Sequence, residues 1–189
     1  MNRTDDSTQL THDPLRRRFL VTGTLSLGMA ALPIAHSQDG QDRISRQAEA
    51  IHQEPTFAAS RAVIYRTMTD ARRFDRIMAL SESVKSAQVG KRPAKINAHA
   101  GGAFALFGEF ITGRFIELVP DQLIVQAWRV GNWSPGTYSV ARFELVDDGG
   151  GTRILFDHTG FPVGAADHLA AGWHSNYWDP LREALKMHT

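Results

Sequence analysis

The sequence predicts an α+β domain in which a curved antiparallel sheet wraps around one long C-terminal helix, with two short helices after the first strand. Three observations predict it. Between Gly101 and Phe161, five segments rich in β-branched and aromatic residues are separated by turn residues, the pattern of an antiparallel meander. Before the meander come one strand pattern and two short helical patterns. After it, Leu169, Trp173, Tyr177, Leu181 and Leu185 recur every four residues and form one aromatic-rich stripe of a helix. A sheet with one apolar face and a helix with one apolar stripe bury both by packing together.

The elements follow in order. Ile51, Gln53, Pro55 and Phe57 alternate with more polar neighbours and suggest a first strand, with Pro55 suited to an edge. Ser60 suits a helix N-cap, and Val63, Ile64, Thr67 and Met68 then fall at helical spacing. Phe74, Ile77 and Met78 mark the face of a second short helix. Residues 81–98 are polar and read as a loop with a strand. Expected strands are Ala103–Phe107, Phe110–Val119, Leu123–Val130, Tyr138–Val146 and Arg153–His158. The breaks between them hold Gly108, Pro120-Asp121, Asn132 to Gly136, and a hairpin signal at Asp148-Gly149-Gly150-Gly151. The last helix spans Ala165 to Met187 and meets Pro180. Either it kinks there, or Asp179 caps a fresh helix with Pro180 at its first position.

The chain has 189 residues, 42% hydrophobic and 22% charged, enough for one globular domain and an appendage. Residues 1–37 carry four basic and three acidic side chains, and the remainder holds 17 of each sign. A neutral body lacks the basic footprint that nucleic acid requires. Cysteine is absent, which removes disulfides, thiolate metal sites and a cysteine nucleophile.

The N-terminus reads as an address. Arg16-Arg17-Arg18-Phe19-Leu20 precedes a mildly apolar run to Ala35 that contains Thr22, Gly23, Thr24, Ser26 and Gly28. The run is weak beside the roughly 20 strongly apolar residues of a membrane span. Ala35-His36-Ser37 places small residues where a signal peptidase cuts, so cleavage is expected after Ser37. The alternative is an uncleaved membrane anchor. Arg16, Arg17, Phe19 and Leu20 resemble a twin-arginine signal. That resemblance implies folding in the cytoplasm, passage through the twin-arginine export machinery, and a destination in the periplasm or cell exterior with no stable membrane anchor after cleavage. The organisation is then a signal at 1–37, a polar linker at 38–47 and the folded domain at 48–189.

Gly101-Gly102-Ala103-Phe104, Thr112-Gly113-Arg114-Phe115, Val119-Pro120 and Ala127-Trp128-Arg129 stand in one order with a second group of motifs. These are Gly151-Thr152-Arg153, Asp157-His158-Thr159-Gly160-Phe161-Pro162, Gly172-Trp173 and Tyr177-Trp178-Asp179-Pro180-Leu181. In that order and spacing the body resembles the START-like (SRPBCC) superfamily and its helix-grip fold. Within it, the body is most similar to the branch named for the activator of heat-shock-protein-ninety ATPase. The resemblance implies a cavity between sheet and helix. The branch takes its name from a eukaryotic co-chaperone, and a twin-arginine address would separate this chain from a cytosolic chaperone.

Strand parity supplies the candidate pocket residues. Ser139, Ala141, Phe143 and Leu145 share the less polar face of one strand, and Ile154, Phe156 and His158 share a face of the next. Ile124, Gln126, Trp128 and Val130 share another, although Leu123, Val125 and Ala127 opposite are also apolar. The candidate ligand-binding set is therefore Trp128, Phe143, Phe156, His158, Trp173 and Tyr177. The aromatics are equally suited to core packing. His158 is the candidate acid or base, and the competing reading is a histidine hydrogen-bonded to backbone at a strand end. Glu109 and Glu117 are candidate carboxylates or exposed strand residues. His168 and His174 are six apart and, at about 100° per residue, point apart on a helix. With His99, Asp157 and Asp167 they make no recognisable metal spacing, so no metal and no cofactor is expected.

Three functions compete. The first is a non-catalytic binder of a small hydrophobic or aromatic molecule. The second is an enzyme of the cyclase or dehydratase type, using His158 with Tyr177 or Glu109. The third is a chaperone-like interaction module, which would carry a large exposed apolar patch.

Overall fold

The structure, a computed structural model, describes residues 49–186. The expected signal segment, its cleavage site and the polar linker lie outside the described residues. The body is an antiparallel sheet of eight strands with helices on one side. In chain order the strands are β1 (Ala50–Gln53), β2 (Thr56–Phe57), β3 (Lys95–Ile96), β4 (Ala103–Leu106), β5 (Ile111–Val119), β6 (Leu123–Val130), β7 (Ser139–Asp148) and β8 (Gly151–Thr159). The spatial order is β1-β8-β7-β6-β5-β4-β3, with β2 also on β8. Helices α1 (Arg61–Thr69), α2 (Ala71–Met78) and α3 (Glu82–Lys85) lie between β2 and β3, and α4 (Ala166–Trp173) and α5 (Asp179–Lys186) follow β8.

The first strand is two strands in one register. Gln53 pairs Phe156 and Thr56 pairs Arg153. Pro55 has no N–H to donate, so the ladder breaks there, but its carbonyl still accepts from Ile154 N at 3.0 Å. Ser60 stands at the N-cap of α1 with extended backbone, yet its hydroxyl makes no cap; Asp70 does cap α2, accepting from Arg73 N at 2.8 Å. The β7–β8 hairpin is tighter than the glycine run suggests. Asp148 pairs Gly151, and the turn is Gly149-Gly150, both at positive φ as a two-residue hairpin of this hand requires.

Two glycines permit close approaches in the sheet. A Cβ on Gly113 would lie 2.0 Å from the Ala127 carbonyl oxygen and 2.4 Å from the Phe104 ring. A Cβ on Gly102 would lie 2.0 Å from the Asn97 carbonyl oxygen.

The C-terminal segment stays helical through Pro180 and does not restart there. Asp179 has helical angles, so it is no cap, and its N–H donates to the His174 carbonyl five residues back. His174–Trp178 is one π turn joining α4 to α5. The π turn sits where an α turn would crowd the Pro180 ring against the carbonyl of Asn176, four residues back. It also solves a phase problem. Residues spaced every four drift about 40° per step around an ideal α-helix. The wider turn absorbs that drift, and Leu169, Trp173, Tyr177, Trp178 and Leu181 are all buried against the sheet.

The inner faces are those of the expected parity: Ile124, Gln126, Trp128 and Val130 on β6; Ser139, Ala141, Phe143 and Leu145 on β7; Ile154, Phe156 and His158 on β8. Trp173 is the hub. Its ring centroid lies 4.3 Å from that of Tyr177, 4.5 Å from Phe156 and 5.6 Å from Phe143. Gln53 ties the helix to β1, donating to Ala170 O at 3.1 Å and accepting from Trp178 Nε1 at 2.6 Å.

Candidate functional site

A cleft of about 400 Å³ opens between the C-terminal helix, the segment after α3, and the loop entering β5. Its sheet wall is Trp128 and Val130 of β6 and Ile111 of β5, with Phe107 and Phe110 from the loop. Its helix wall is Leu169, Gly172, Trp173 and Tyr177. Exposure grades from floor to mouth. Trp128, Trp173 and Tyr177 are 3%, 2% and 5% exposed, whereas Phe110 is 42% exposed and Glu82, Gln88 and His168 stand at the surface. Gly172 leaves its wall unfilled, since a Cβ there would meet nothing within 4 Å.

The expected pocket set divides in two. Trp128, Trp173 and Tyr177 line the cleft. Phe143, Phe156 and His158 do not; they are buried in the core against Trp173. The reason is layering: Trp173 lies between the cleft and the rows of β7 and β8.

His158 has no exposed surface, and its hydrogen bonds assign its protons. Trp173 Nε1–H can only donate, so Nδ1 of His158 accepts it, at 3.0 Å. Nε2 therefore carries the proton and donates to Ser139 Oγ at 2.7 Å, and Ser139 donates onward to the Trp128 carbonyl at 3.0 Å. Burial pulls the imidazole pKa down to about 4. The partners of His158 are two side chains, a serine and an indole, and not the backbone expected at a strand end; neither Glu109 nor Tyr177 is among them. The chain is a satisfied network holding helix to sheet, and its Nε2–H faces the serine as a donor, the wrong tautomer for a general base.

Tyr177 and Trp128 present the opposite case. The hydroxyl of Tyr177 and the Nε1 of Trp128 are both buried without a hydrogen-bond partner. Burial pushes the phenol pKa up, while the Trp128 indole nearby pulls it partly back. The two groups thus sense one another without reaching hydrogen-bond geometry.

The loop Phe107–Glu109 was not legible as a wall. Phe107, Gly108 and Glu109 take φ of 51°, 68° and 76°, a left-handed run that costs strain at the two non-glycine positions. Glu109 is held by Lys95 Nζ at 2.9 Å and by Arg92, which places its carboxyl below the ordinary range through the lysine hydrogen bond first. A Cβ on Gly108 would lie 2.3 Å from the Gly90 carbonyl oxygen, so the loop is seated against a second glycine. The signal available was a glycine between two phenylalanine-bearing segments, read as a simple strand break. Glu117 is exposed beside a β-bulge of β5. Among the described residues no group of three His, Asp or Glu side chains is placed to hold a metal ion.

A family model described as "Activator of Hsp90 ATPase homolog 1-like protein" matches residues 58–186. The activator of 90 kDa heat shock protein ATPase homolog 2 of Mus musculus is 29% identical over 97 residues, which is 51% of this chain and 29% of that protein. The homolog of Dictyostelium discoideum is 35% identical over 86 residues, 45% of this chain and 22% of that protein. The chain thus spans less than a third of each of these relatives. Among solved structures, an HSP90 activator from Plasmodium falciparum superposes with a TM-score of 0.63 at 21% identity, covering 72% of this chain and 96% of that one. CalU16 from Micromonospora echinospora superposes at 0.58 and 20% identity, covering 75% and 80%. At these identities the likeness is one of fold.

Proposed function

This chain belongs to the activator of Hsp90 ATPase homolog 1-like family, and from that premise we propose that it is an exported, non-catalytic binder of a small apolar or aromatic molecule. The observation that carries this reading is the open cleft with its aromatic floor and its unfilled wall at Gly172. Apolar concavities with a few polar groups are the usual seats of small ligands. The test is native mass spectrometry of the mature protein recovered from periplasm or culture medium, beside a Gly172→Phe variant that fills the cleft. The expected result is a chain beginning at Gln38 with a co-purifying molecule, lost from the variant. An empty protein in both samples, with no hydrophobic compound raising the melting temperature, would sink the binding reading. Export is tested separately: exchanging Arg16 and Arg17 together for lysine should leave the precursor in the cytoplasm.

A second reading is a chaperone-like interaction module. It draws on the names of the relatives and on Ile116, Tyr138 and Val140, which are apolar or aromatic and exposed. It requires that the purified domain raise ATP hydrolysis by a 90 kDa heat shock protein; an unchanged rate at saturating domain rules it out.

A further inference from the structure

We propose that α2 and the segment after α3 form a second site, a basic surface around an apolar cleft, which docks on a bilayer containing anionic lipid. Residues 66–95 carry eight basic and three acidic side chains, an excess of five in a body that is neutral as a whole. The fold gathers much of that excess on one surface. Phe74 and Met78 of α2 are buried, so Arg72 and Arg76, also four residues apart, share its outward face and are exposed. Asp75 anchors the neighbouring segment, its carboxylate accepting from Ala94 N at 2.9 Å. That bond lays Lys91, Arg92 and Lys95, all exposed, beside the helix. Arg92 and Lys95 share Glu109, whereas Arg72, Arg76 and Lys91 make no ion pair among the described residues.

An apolar cleft of about 360 Å³ opens among these cations. Phe74, Met78, Ala79, Val84, Val89 and Pro93 line it, with Lys91 and Arg92. Its one carboxylate is that of Asp75, already engaged by Ala94 N. Val84 is 38% exposed, an apolar side chain beside the charges. The combination narrows the partner. A soluble polyanion would use the cations and leave the apolar lining in water. An anionic lipid uses both, its phosphate at Lys91 and Arg92 and the upper part of an acyl chain in the cleft. A group of about four to eight cations is also the size of patch that holds a protein at an anionic leaflet.

The test is co-sedimentation of the mature protein with vesicles of phosphatidylcholine alone and of phosphatidylcholine mixed with phosphatidylglycerol. We expect binding to the mixed vesicles only, weakened by added salt. Arg72→Gln, Arg76→Gln and Lys91→Gln should each weaken it about fivefold, the usual worth of one cation near an anionic bilayer. All three are exposed and without an ion pair, so each variant should melt as wild type does. Arg142→Gln removes a cation from the outer face of the sheet and should leave vesicle binding unchanged. Val84→Ser should weaken vesicle binding about threefold through the lost apolar contact. Equal binding to both kinds of vesicle, no binding to either, or full binding by the triple glutamine variant overturns the proposal. Displacement from the vesicles by polyglutamate, together with unchanged binding by Val84→Ser, assigns the surface to an acidic protein and overturns the lipid.

Discussion

The indole N–H of Trp173, on the C-terminal helix, donates to Nδ1 of His158, on the last strand, at 3.0 Å. One bond thus joins the two halves of the fold and determines the tautomer of a histidine with no exposed surface. A proton arriving at Nδ1 would meet a donor with no lone pair to offer. Burial acts in the same direction and brings the pKa down from 6.5 to about 4.

Stability should therefore depend on pH through His158. Because its folded pKa lies below the unfolded value, the unfolded chain binds a proton in the window between them that the native protein refuses. The contribution of His158 to stability is complete above pH 6.5 and is lost as pH falls toward 4, by about 3 kcal/mol at one pKa unit per 1.36 kcal/mol. His52 has the opposite sign, since hydrogen bonds to Asp157 and then Glu54 raise its pKa, so its contribution is present at low pH and lost as pH rises. The check is an NMR titration: the His158 ring resonances should keep their neutral-form shifts down to pH 5. A midpoint near 6.5 would contradict the buried tautomer.

Ser139 is the middle of the relay, accepting from His158 and donating to the Trp128 carbonyl. Ser139→Ala leaves a buried imidazole N–H unpaired and should destabilise the protein by about 1–3 kcal/mol in urea unfolding at pH 7. An unchanged midpoint would mean the serine is not a member of the network.

Gly172 lies inside α4 with ordinary helical backbone and open space where a Cβ would go. Gly172→Ala should therefore stabilise the protein by about 0.5–1 kcal/mol, the usual helical advantage of alanine. A fall in the melting temperature would show that the space is not open.

Gly113 should behave in the opposite way. Its Cβ would overlap the Ala127 carbonyl and the Phe104 ring, so Gly113→Ala must push the hydrogen-bonded strands β5 and β6 apart or expel an aromatic ring. The expected loss is about 2 kcal/mol or more, at the upper end of single-substitution effects. Thermal unfolding beside Gly172→Ala provides the comparison, and similar melting points for both variants would refute the crowding.

Period-two alternation is a local property, and so it was enough to put Phe143, Phe156 and His158 on one inner surface before any contact was known. The four-residue stripe likewise marked the buried side of the last helix, although the π turn that keeps it in phase was invisible in it. Parity alone left β6 ambiguous, because both of its faces are apolar; packing against Trp173 decided for Trp128. The sequence by itself determined the fold class, the neutral body, the inner rows of β7 and β8 and the expectation of an exported chain. Which of the aromatics line a cleft and which fill the core was decided only by tertiary structure. That choice depends on where Trp173 stands between the two layers, and on a left-handed loop at Phe107–Glu109 held by Gly90, Arg92 and Lys95. Contacts between segments distant in the chain carry no periodicity, so a concave wall built from them leaves no local mark on the residues that form it.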